Sequence, residues 1–278
     1  MKQITKKLAL LLIAALLLST CLLTFAACDD EDDDDDKIEI VETLNGQTPL
    51  EVYRAAETMM DNVDNGEVSG VIEISMEIDG DGISASQSME MDLLMQVNGE
   101  TMYSKVAGES SGMEAAAMIE EIWLVGGYYY QHENADGEVT KTKTPMTYDE
   151  YMARGDDSTD ESDFFIDLES GILEGAKFKK EGNTYHVDIK LTGDQVKQLA
   201  GDLVGDYDDM VEFDTLNYRM SFDQNGAIKG FRISFSGSAT EDGYTMTMEI
   251  TMRLNVKYNV VDTINPPADA SSYELVTE

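Results

Sequence analysis

The chain of 278 residues contains few of the residue types that build reactive or cross-linked sites: two cysteines, two histidines and one tryptophan. Both cysteines, Cys21 and Cys28, lie near the N-terminus, so the rest of the chain can form neither a disulfide nor a metal site with cysteine ligands. The histidines, His132 and His186, are far apart and lack the spacing of a zinc-binding helix. We therefore expect no metal and no cofactor.

Positive charge is also scarce. The 19 lysines and arginines face 56 aspartates and glutamates, which gives a formal net charge of −37. A field of that sign repels the phosphate backbone of nucleic acids and anionic lipid surfaces, so nucleic-acid binding is excluded as a function class. With 42% hydrophobic residues, the chain can still bury the core of one large domain or two small ones.

Residues 1–27 have the pattern of a secretory signal. Three lysines precede an apolar run over residues 8–23, and small residues stand directly before Cys28. The four residues FAAC that end at Cys28 resemble a bacterial lipobox, in which the cysteine receives acyl chains and becomes the mature N-terminus. The resemblance implies a lipoprotein anchored through Cys28 on the outer face of the bacterial cytoplasmic membrane. The alternative is an uncleaved membrane-spanning anchor.

An acidic run, DDEDDDDD, follows the lipobox. Such a run repels itself and is too polar to fold, which predicts that residues 28–47 contain the lipidated cysteine and a solvated tether. Calcium binding by the run stays open, although nothing would pre-organise its carboxylates. The folded domain is expected over residues 48–267, and a C-terminal tail over residues 268–278.

Two helices have clear start signals. Thr48, Pro49 and Glu51 predict a capped helix that ends near residue 65, and Thr147 with Glu150 predicts a second capping box. Apolar spacing predicts further helical segments, which we place at residues 113–121, 163–173 and 194–204.

Apolar and polar residues alternate along several other segments, which predicts half-buried strands. The clearest are residues 72–78, 83–97 and 244–258, and we expect one strand over residues 122–131. Turn sequences separate these segments. We therefore expect hairpins and an antiparallel sheet with one solvent-exposed face. Helices must then cover the apolar face, which predicts the α+β class.

The order of these elements resembles that of bacterial lipoproteins of the LolA/LppX/LprG-like superfamily, Gram-positive type. The resemblance rests on the lipobox, the first helix, the long alternating strands, the final three-strand meander and the exit Ile264-Asn265-Pro266-Pro267. It implies a strongly curved antiparallel β-sheet, a half-barrel, with helices covering the concave apolar face. Because members of that superfamily bind acyl chains there and are not typical enzymes, it also implies a non-catalytic carrier, chaperone or sensor of lipids or other amphiphiles.

Methionine is abundant, with 17 in the chain. Seven of them occupy apolar strand faces: Met76, Met89, Met91, Met95, Met246, Met248 and Met252. Because methionine adapts its shape and is common on promiscuous binding surfaces, we expect these side chains to line a cavity for the ligand. A methionine-rich core without a ligand is the alternative. Trp123, Tyr128 and Tyr130 are candidates for the rim of the cavity, and with Tyr129 they would put rings on both sheet faces, where a protein partner could bind.

Two other functions stay open. A cell-envelope interaction or sensor module with a filled core would bind a protein and no ligand. A serine hydrolase is the remote alternative, because residues 108–112 match G-x-S-x-G around Ser110. We expect this segment to be a polar loop between two strands, since a nucleophile elbow belongs between a strand and a helix of a parallel sheet.

Overall fold

The computed structural model describes residues 38–60, 63–80, 83–112, 116–158, 173, 175–193, 195–196, 211–241 and 243–276. The elements are, in chain order, β1 (Glu39–Val41), α1 (Pro49–Met60), β2 (Asn65–Gly80), β3 (Ile83–Asn98), β4 (Thr101–Gly112), β5 (Ala117–Val125), β6 (Tyr128–Ala135), β7 (Glu138–Pro145), α2 (Tyr148–Ser158), β8 (Phe178–Glu181), β9 (Thr184–Thr192), β10 (Val211–Phe222), β11 (Ile228–Glu241), β12 (Tyr244–Tyr258), a short 3-10 helix (Ala270–Ser272) and β13 (Glu274–Leu275). The predicted signal, the lipobox with Cys28 and the acidic run lie outside these residues. Within them, no helix is long and apolar enough to cross a membrane.

The thirteen described strands form one open sheet in the order β1-β8-β9-β10-β11-β12-β2-β3-β4-β5-β6-β7-β13. Neighbouring strands are antiparallel except β13 and β7, which are parallel, so the sheet is mixed. Strands β8 to β12 and strands β2 to β7 make two halves, and the halves join where β12 pairs with β2.

The predicted α+β half-barrel, with helices over a concave apolar face, is wrong. The part of the chain that the structure describes is mostly strand, and its two α-helices do not cover a concave face. The secondary structure predicted from local periodicity differs from the observed one at two places. Residues 117–121, expected in a helix, are in β5, and Gly126 and Gly127 divide the single strand expected over residues 122–131 into β5 and β6. Both glycines have positive φ, at 62° and 78°, which suits a tight turn.

The other two predicted helices, at residues 163–173 and 194–204, lie outside the described residues except at Leu173, Gln195 and Val196. Leu173 and Val196 are both buried in the main core.

The two capping boxes are confirmed. In α1, the backbone N–H and the hydroxyl of Thr48 donate to Oε2 of Glu51 at 2.8 and 2.9 Å, and the Glu51 N–H donates back to Thr48 Oγ1 at 3.4 Å. In α2, the N–H and hydroxyl of Thr147 donate to Oε2 of Glu150 at 2.7 and 2.9 Å. Each box provides hydrogen-bond partners for N–H groups at the helix start, which have no carbonyl acceptor within the helix. Both helices therefore begin where the sequence predicts.

Strand register separates the side chains into two faces. Ile72 lies opposite Met91, and Val68 lies opposite both Met95 and Val256, so these residues share one face. We call it the methionine face, because alternation puts all seven candidate methionines on it. The other side of the sheet is called the opposite face.

The main hydrophobic core lies on the methionine face. Helix α1 packs its buried side, with Val52, Tyr53, Ala56 and Met60, into this core. A smaller core on the same face contains Met102, Leu124 and Met146, and α2 adds its two tyrosines to it. The two helices therefore pack at separate places on a much wider sheet.

Candidate ligand-binding face

The seven candidate methionines lie on three neighbouring strands near the middle of the sheet, β12, β2 and β3, and they differ in burial. Met76, Met91, Met248 and Met252 are at most 5% exposed and belong to the main core. Met89, Met95 and Met246 are half-buried. The structure therefore brings the seven side chains onto one face and leaves three of them partly open to solvent.

Several of these methionines face residues with little or no side chain on the next strand. Met91 lies opposite Gly108, Met248 opposite Gly237, and Met246 opposite Ala239. A Cβ added to Gly108 would lie 2.9 Å from Met91 Cγ, so the Met91 side chain lies over the glycine backbone. An unbranched side chain beside such a residue can change rotamer more freely than one among bulky neighbours. These small residues belong to the candidate site. The sequence alone does not reveal them, because strand register decides which residue lies opposite each methionine.

The methionine face also has a buried polar atom near its α1 end. The hydroxyl of Tyr258 is buried, and among the described residues it has no hydrogen-bond partner. Burial, together with the charge of Asp223, raises the pKa of Tyr258 to about 12, so the phenol is neutral and can donate a hydrogen bond at neutral pH. A buried donor of this kind is expected to bind a polar group. The face thus combines adaptable apolar side chains with the buried hydroxyl of Tyr258.

The candidate rim residues lie on the opposite face. Trp123 is registered with Tyr103 and with Tyr130, and Tyr128 contacts Tyr130 with ring centroids 5.9 Å apart. Tyr129, between them in sequence, lies on the methionine face and stacks on Tyr151 of α2. The structure therefore puts rings on both faces, and it does not bring Trp123, Tyr128 and Tyr130 together with the methionines.

The C-terminal segment packs on this aromatic cluster. The ring of Tyr273 is edge-on to Trp123 and Tyr130, with centroids 6.5 and 5.5 Å away, and it is 4% exposed. Lys141 Nζ lies 2.6 Å from Asp269 Oδ2 and 5.7 Å from the Tyr273 ring centre. The pairing of β13 with β7 adds backbone contacts between the C-terminal segment and the sheet. Nothing in the sequence pattern marks Tyr273 as a contact of Trp123.

Replacing Tyr273 by alanine should expose Trp123. Because Trp123 is the only tryptophan in the chain, tryptophan fluorescence reports on the surroundings of this one side chain. We expect emission at longer wavelength and stronger quenching by acrylamide. Tyr244→Ala, on the central strand β12 and away from Trp123, is the control and should leave the emission unchanged. An unchanged spectrum in Tyr273→Ala would contradict the packing of the C-terminal segment on Trp123.

Ser110 is a strand residue. It belongs to β4, lies opposite Met89, and its Oγ accepts a hydrogen bond from the Ala116 N–H at 2.9 Å. The prediction that residues 108–112 form a loop is therefore wrong, since these residues are in β4 and the β3–β4 ladder pairs them with residues of β3. The segment has none of the strand-to-helix turn that exposes a serine nucleophile.

The two histidines contact carboxylates on the opposite face. His132 Nδ1 lies 3.0 Å from Oε2 of Glu121, which also accepts the Tyr103 hydroxyl through Oε1 at 2.8 Å. Burial alone would raise the pKa of Glu121, but the bonds to Tyr103 and His132 and the charge of Lys105 hold it below its ordinary value. Among the described residues, no group of three or more histidine, cysteine or acidic side chains could hold a metal ion.

His186 forms a serine–histidine–carboxylate arrangement that the sequence does not suggest. Its Nδ1 lies 2.8 Å from Ser221 Oγ, and its Nε2 lies 3.5 Å from Glu181 Oε2. Ser221 is 5% exposed, is the next-to-last residue of β10, and is paired with His186 on β9 and Gly230 on β11. A substrate cannot reach a hydroxyl buried in this way, so the bond works as a cross-strand contact that holds β9 to β10.

The family described as "Family of unknown function (DUF6612)" matches residues 48–273. The chain belongs to this family. No curated protein matches the sequence significantly. The LolA/LppX/LprG-like membership inferred from element order is not confirmed.

Two solved structures show a weak similarity to this DUF6612 chain. A DUF1329 family protein from Desulfovibrio piger is 10% identical, with a TM-score of 0.19 and coverage of 76% of this chain and 93% of that one. The translocator domain of the autotransporter NalP from Neisseria meningitidis is 6% identical, with a TM-score of 0.20 and coverage of 73% and 94%. Similarity at this level supports no assignment of function.

Proposed function

We propose that this DUF6612 protein is a non-catalytic, extracytoplasmic lipoprotein that binds a lipid or other amphiphile on its methionine face. The observation that carries the proposal is the set of half-buried methionines, Met89, Met95 and Met246, beside buried ones that face glycine. Apolar tails are driven onto such a surface because burial removes their area from water. Because the methionine side chain is unbranched and flexible, such a surface adapts to tails of different shape.

The buried hydroxyl of Tyr258 supports the same proposal. An amphiphile has a polar end as well as an apolar one, and a buried donor without a partner in the described residues suits an ester or carboxyl oxygen. Tyr258 ends β12 beside Gly66 of β2, whereas Met246 lies near the other end of β12.

Anchoring is the second part of the proposal. Acyl chains on Cys28 would hold the protein on the outer face of the cytoplasmic membrane, since each buried CH₂ contributes about 0.8 kcal/mol. The membrane would then be the source or the destination of the bound amphiphile. The mass of the mature chain tests this part, because it should begin at Cys28 and carry the added acyl mass.

Titration with a fluorescent fatty acid tests the methionine face. The double variant Met89→Asp with Met246→Asp should weaken binding about tenfold or more, because it puts carboxylates where the tail would lose water. The control is Met59→Asp with Met152→Asp, which makes the same charge change at methionines that are 38% and 51% exposed on α1 and α2. Circular dichroism checks that both variants fold. Equal affinity in the two variants would contradict the proposal.

A second candidate is an envelope interaction module with a filled core. The observation in its favour is that Met76, Met91, Met248 and Met252 are packed in the same cluster as α1, as in an ordinary core. Its partner would bind at the aromatic cluster, where Tyr128 is 37% exposed. This candidate predicts no fatty-acid binding by the unaltered chain and a protein partner that is lost on Tyr128→Ala.

A further inference from the structure

Methionine supplies the sulfur of the part of the chain that the structure describes, because both cysteines, Cys21 and Cys28, lie outside it. A methionine thioether reacts with a two-electron oxidant such as hydrogen peroxide and becomes a polar sulfoxide. The reaction requires that the oxidant reach the sulfur, so the burial of each side chain decides which methionines can react.

Burial divides the candidate methionines of the methionine face into two groups. Four are packed in the main core, where water does not reach them: Met76, Met91, Met248 and Met252. The other three are half-buried and open to an oxidant in water: Met89, Met95 and Met246. Three further methionines are exposed, and none of them belongs to the main core: Met59, Met118 and Met152.

The half-buried methionines lie beside apolar side chains. Each has an apolar residue directly opposite it on a neighbouring strand: Ile74 for Met89, Val68 for Met95 and Ala239 for Met246. The Cβ atoms of such a pair are about 5 Å apart, so an amphiphile tail on one residue also contacts the other. A sulfoxide at these positions would lose its water when the tail binds, and burying a polar group without a hydrogen bond is unfavourable.

Met95 also has a polar neighbour. Ser104 of β4 lies directly opposite Met95, on the other side from Val68 of β2. A serine hydroxyl can donate a hydrogen bond to a sulfoxide oxygen, so the fold can hold the oxidised side chain of Met95. The four buried methionines stay shielded in the core. Oxidation therefore changes the surface of the methionine face and leaves its core intact.

Resting on the proposed function, we infer that Met89, Met95 and Met246 are sites of reversible oxidation through which hydrogen peroxide releases the bound amphiphile. At each site the thioether sulfur attacks one oxygen of the peroxide. An S–O bond forms as the O–O bond breaks, sulfur loses two electrons, and the second oxygen leaves as water with the proton of the first. The tail then meets polar sulfoxides and dissociates. Methionine sulfoxide reductases restore the apolar surface.

A bound tail should in turn protect the half-buried methionines. Because the tail covers their sulfur atoms, we expect them to be oxidised more slowly when the chain is saturated with a fatty acid. Met59 and Met152, on α1 and α2, should react at the same rate with and without it. Peptide mass mapping after timed exposure to peroxide measures each rate. Equal rates at Met89, Met95 and Met246 with and without fatty acid would overturn the inference.

A titration of the full chain with the fluorescent fatty acid, before and after peroxide treatment, measures the release. We expect binding by the unaltered chain to become about tenfold weaker or more after treatment. A mixture of the two methionine sulfoxide reductases, one for each sulfoxide epimer, should restore the affinity. Circular dichroism checks that the treated chain remains folded.

The triple variant Met89→Leu, Met95→Leu, Met246→Leu assigns the effect to the half-buried methionines. Leucine keeps an apolar side chain and removes the sulfur, so the affinity of this variant should be the same before and after peroxide. The variant is compared with itself, so the result does not depend on its starting affinity.

The matched control is the triple variant Met59→Leu, Met118→Leu, Met152→Leu. It removes as many sulfur atoms, all at exposed positions, and should lose affinity after peroxide as the unaltered chain does. Equal losses of affinity in the two triple variants would overturn the inference.

The proposed function and the inference fail in different ways. An unaltered chain that binds no fatty acid before peroxide treatment contradicts the proposed function. A chain that binds equally well once Met89, Met95 and Met246 are oxidised contradicts the inference alone. So does a peptide map in which these three stay unoxidised after Met59 and Met152 have reacted.

Discussion

Replacing Gly70 by alanine is expected to lower the free energy of unfolding by about 3 kcal/mol. Gly70 lies in β2 at the junction of the two halves of the sheet. A Cβ there would lie 2.0 Å from the carbonyl oxygen of Arg253 and 2.6 Å from the Cα of Leu254, both backbone atoms of β12. Neither atom can move without separating β12 from β2. The added methyl group therefore acts on the pairing that holds the sheet together.

The matched control is Gly108→Ala in β4, another strand glycine. A Cβ at Gly108 would meet Met91 Cγ at 2.9 Å, but that atom belongs to a flexible side chain that can rotate away. We expect a change of less than about 1 kcal/mol for the control. Urea denaturation of the two variants gives the comparison. Similar midpoints for both would mean that β2 and β12 do not meet as described.

Phe222→Ala should be the most destabilising single truncation in the core, at about 4 kcal/mol. Phe222 ends β10, is completely buried, and its ring is edge-on to that of Phe178 with centroids 6.2 Å apart. Truncation removes the buried area of the ring and leaves a cavity, because the strands on either side cannot collapse around it.

Phe235→Ala is the comparison for Phe222→Ala, since Phe235 is on the same face and only half-buried at the edge of the main core. It should cost roughly half as much, because part of its ring is already in contact with water. Thermal and urea unfolding of both variants provide the measurement. If Phe235→Ala were the more damaging of the two, the complete burial described for Phe222 would be contradicted.

Local features of the fold could be predicted from the sequence, whereas strand order could not. The capping boxes at Thr48 and Thr147 are local, so their residue types were sufficient to locate both helix starts. Alternation likewise located β12 and its buried side. Periodicity does not say which strand lies beside which, and the pairing of β12 with β2 joins residues nearly 190 positions apart. The α+β prediction failed because it required helices to cover the sheet, and helix-like segments such as residues 117–121 are held in strands by their neighbours.

In the candidate site, too, local features could be predicted from the sequence and strand pairing could not. Each methionine could be assigned to the apolar side of its own strand, but that all seven share one face follows only from register. The rim was predicted from residues that are close in sequence, Trp123 and the tyrosines after it. Strand register puts Trp123 on the opposite face, away from the methionines.

Native mass spectrometry of the full chain, purified from membranes and released from detergent, tests whether the methionine face holds an amphiphile. We expect a mature chain that begins at an acylated Cys28 and carries a further, non-covalent lipid. Organic solvent should remove that lipid, and the Met89→Asp, Met246→Asp double variant should lack it. A bare acylated chain that gains no mass when lipid is added would contradict the claim and leave the methionines as an ordinary core.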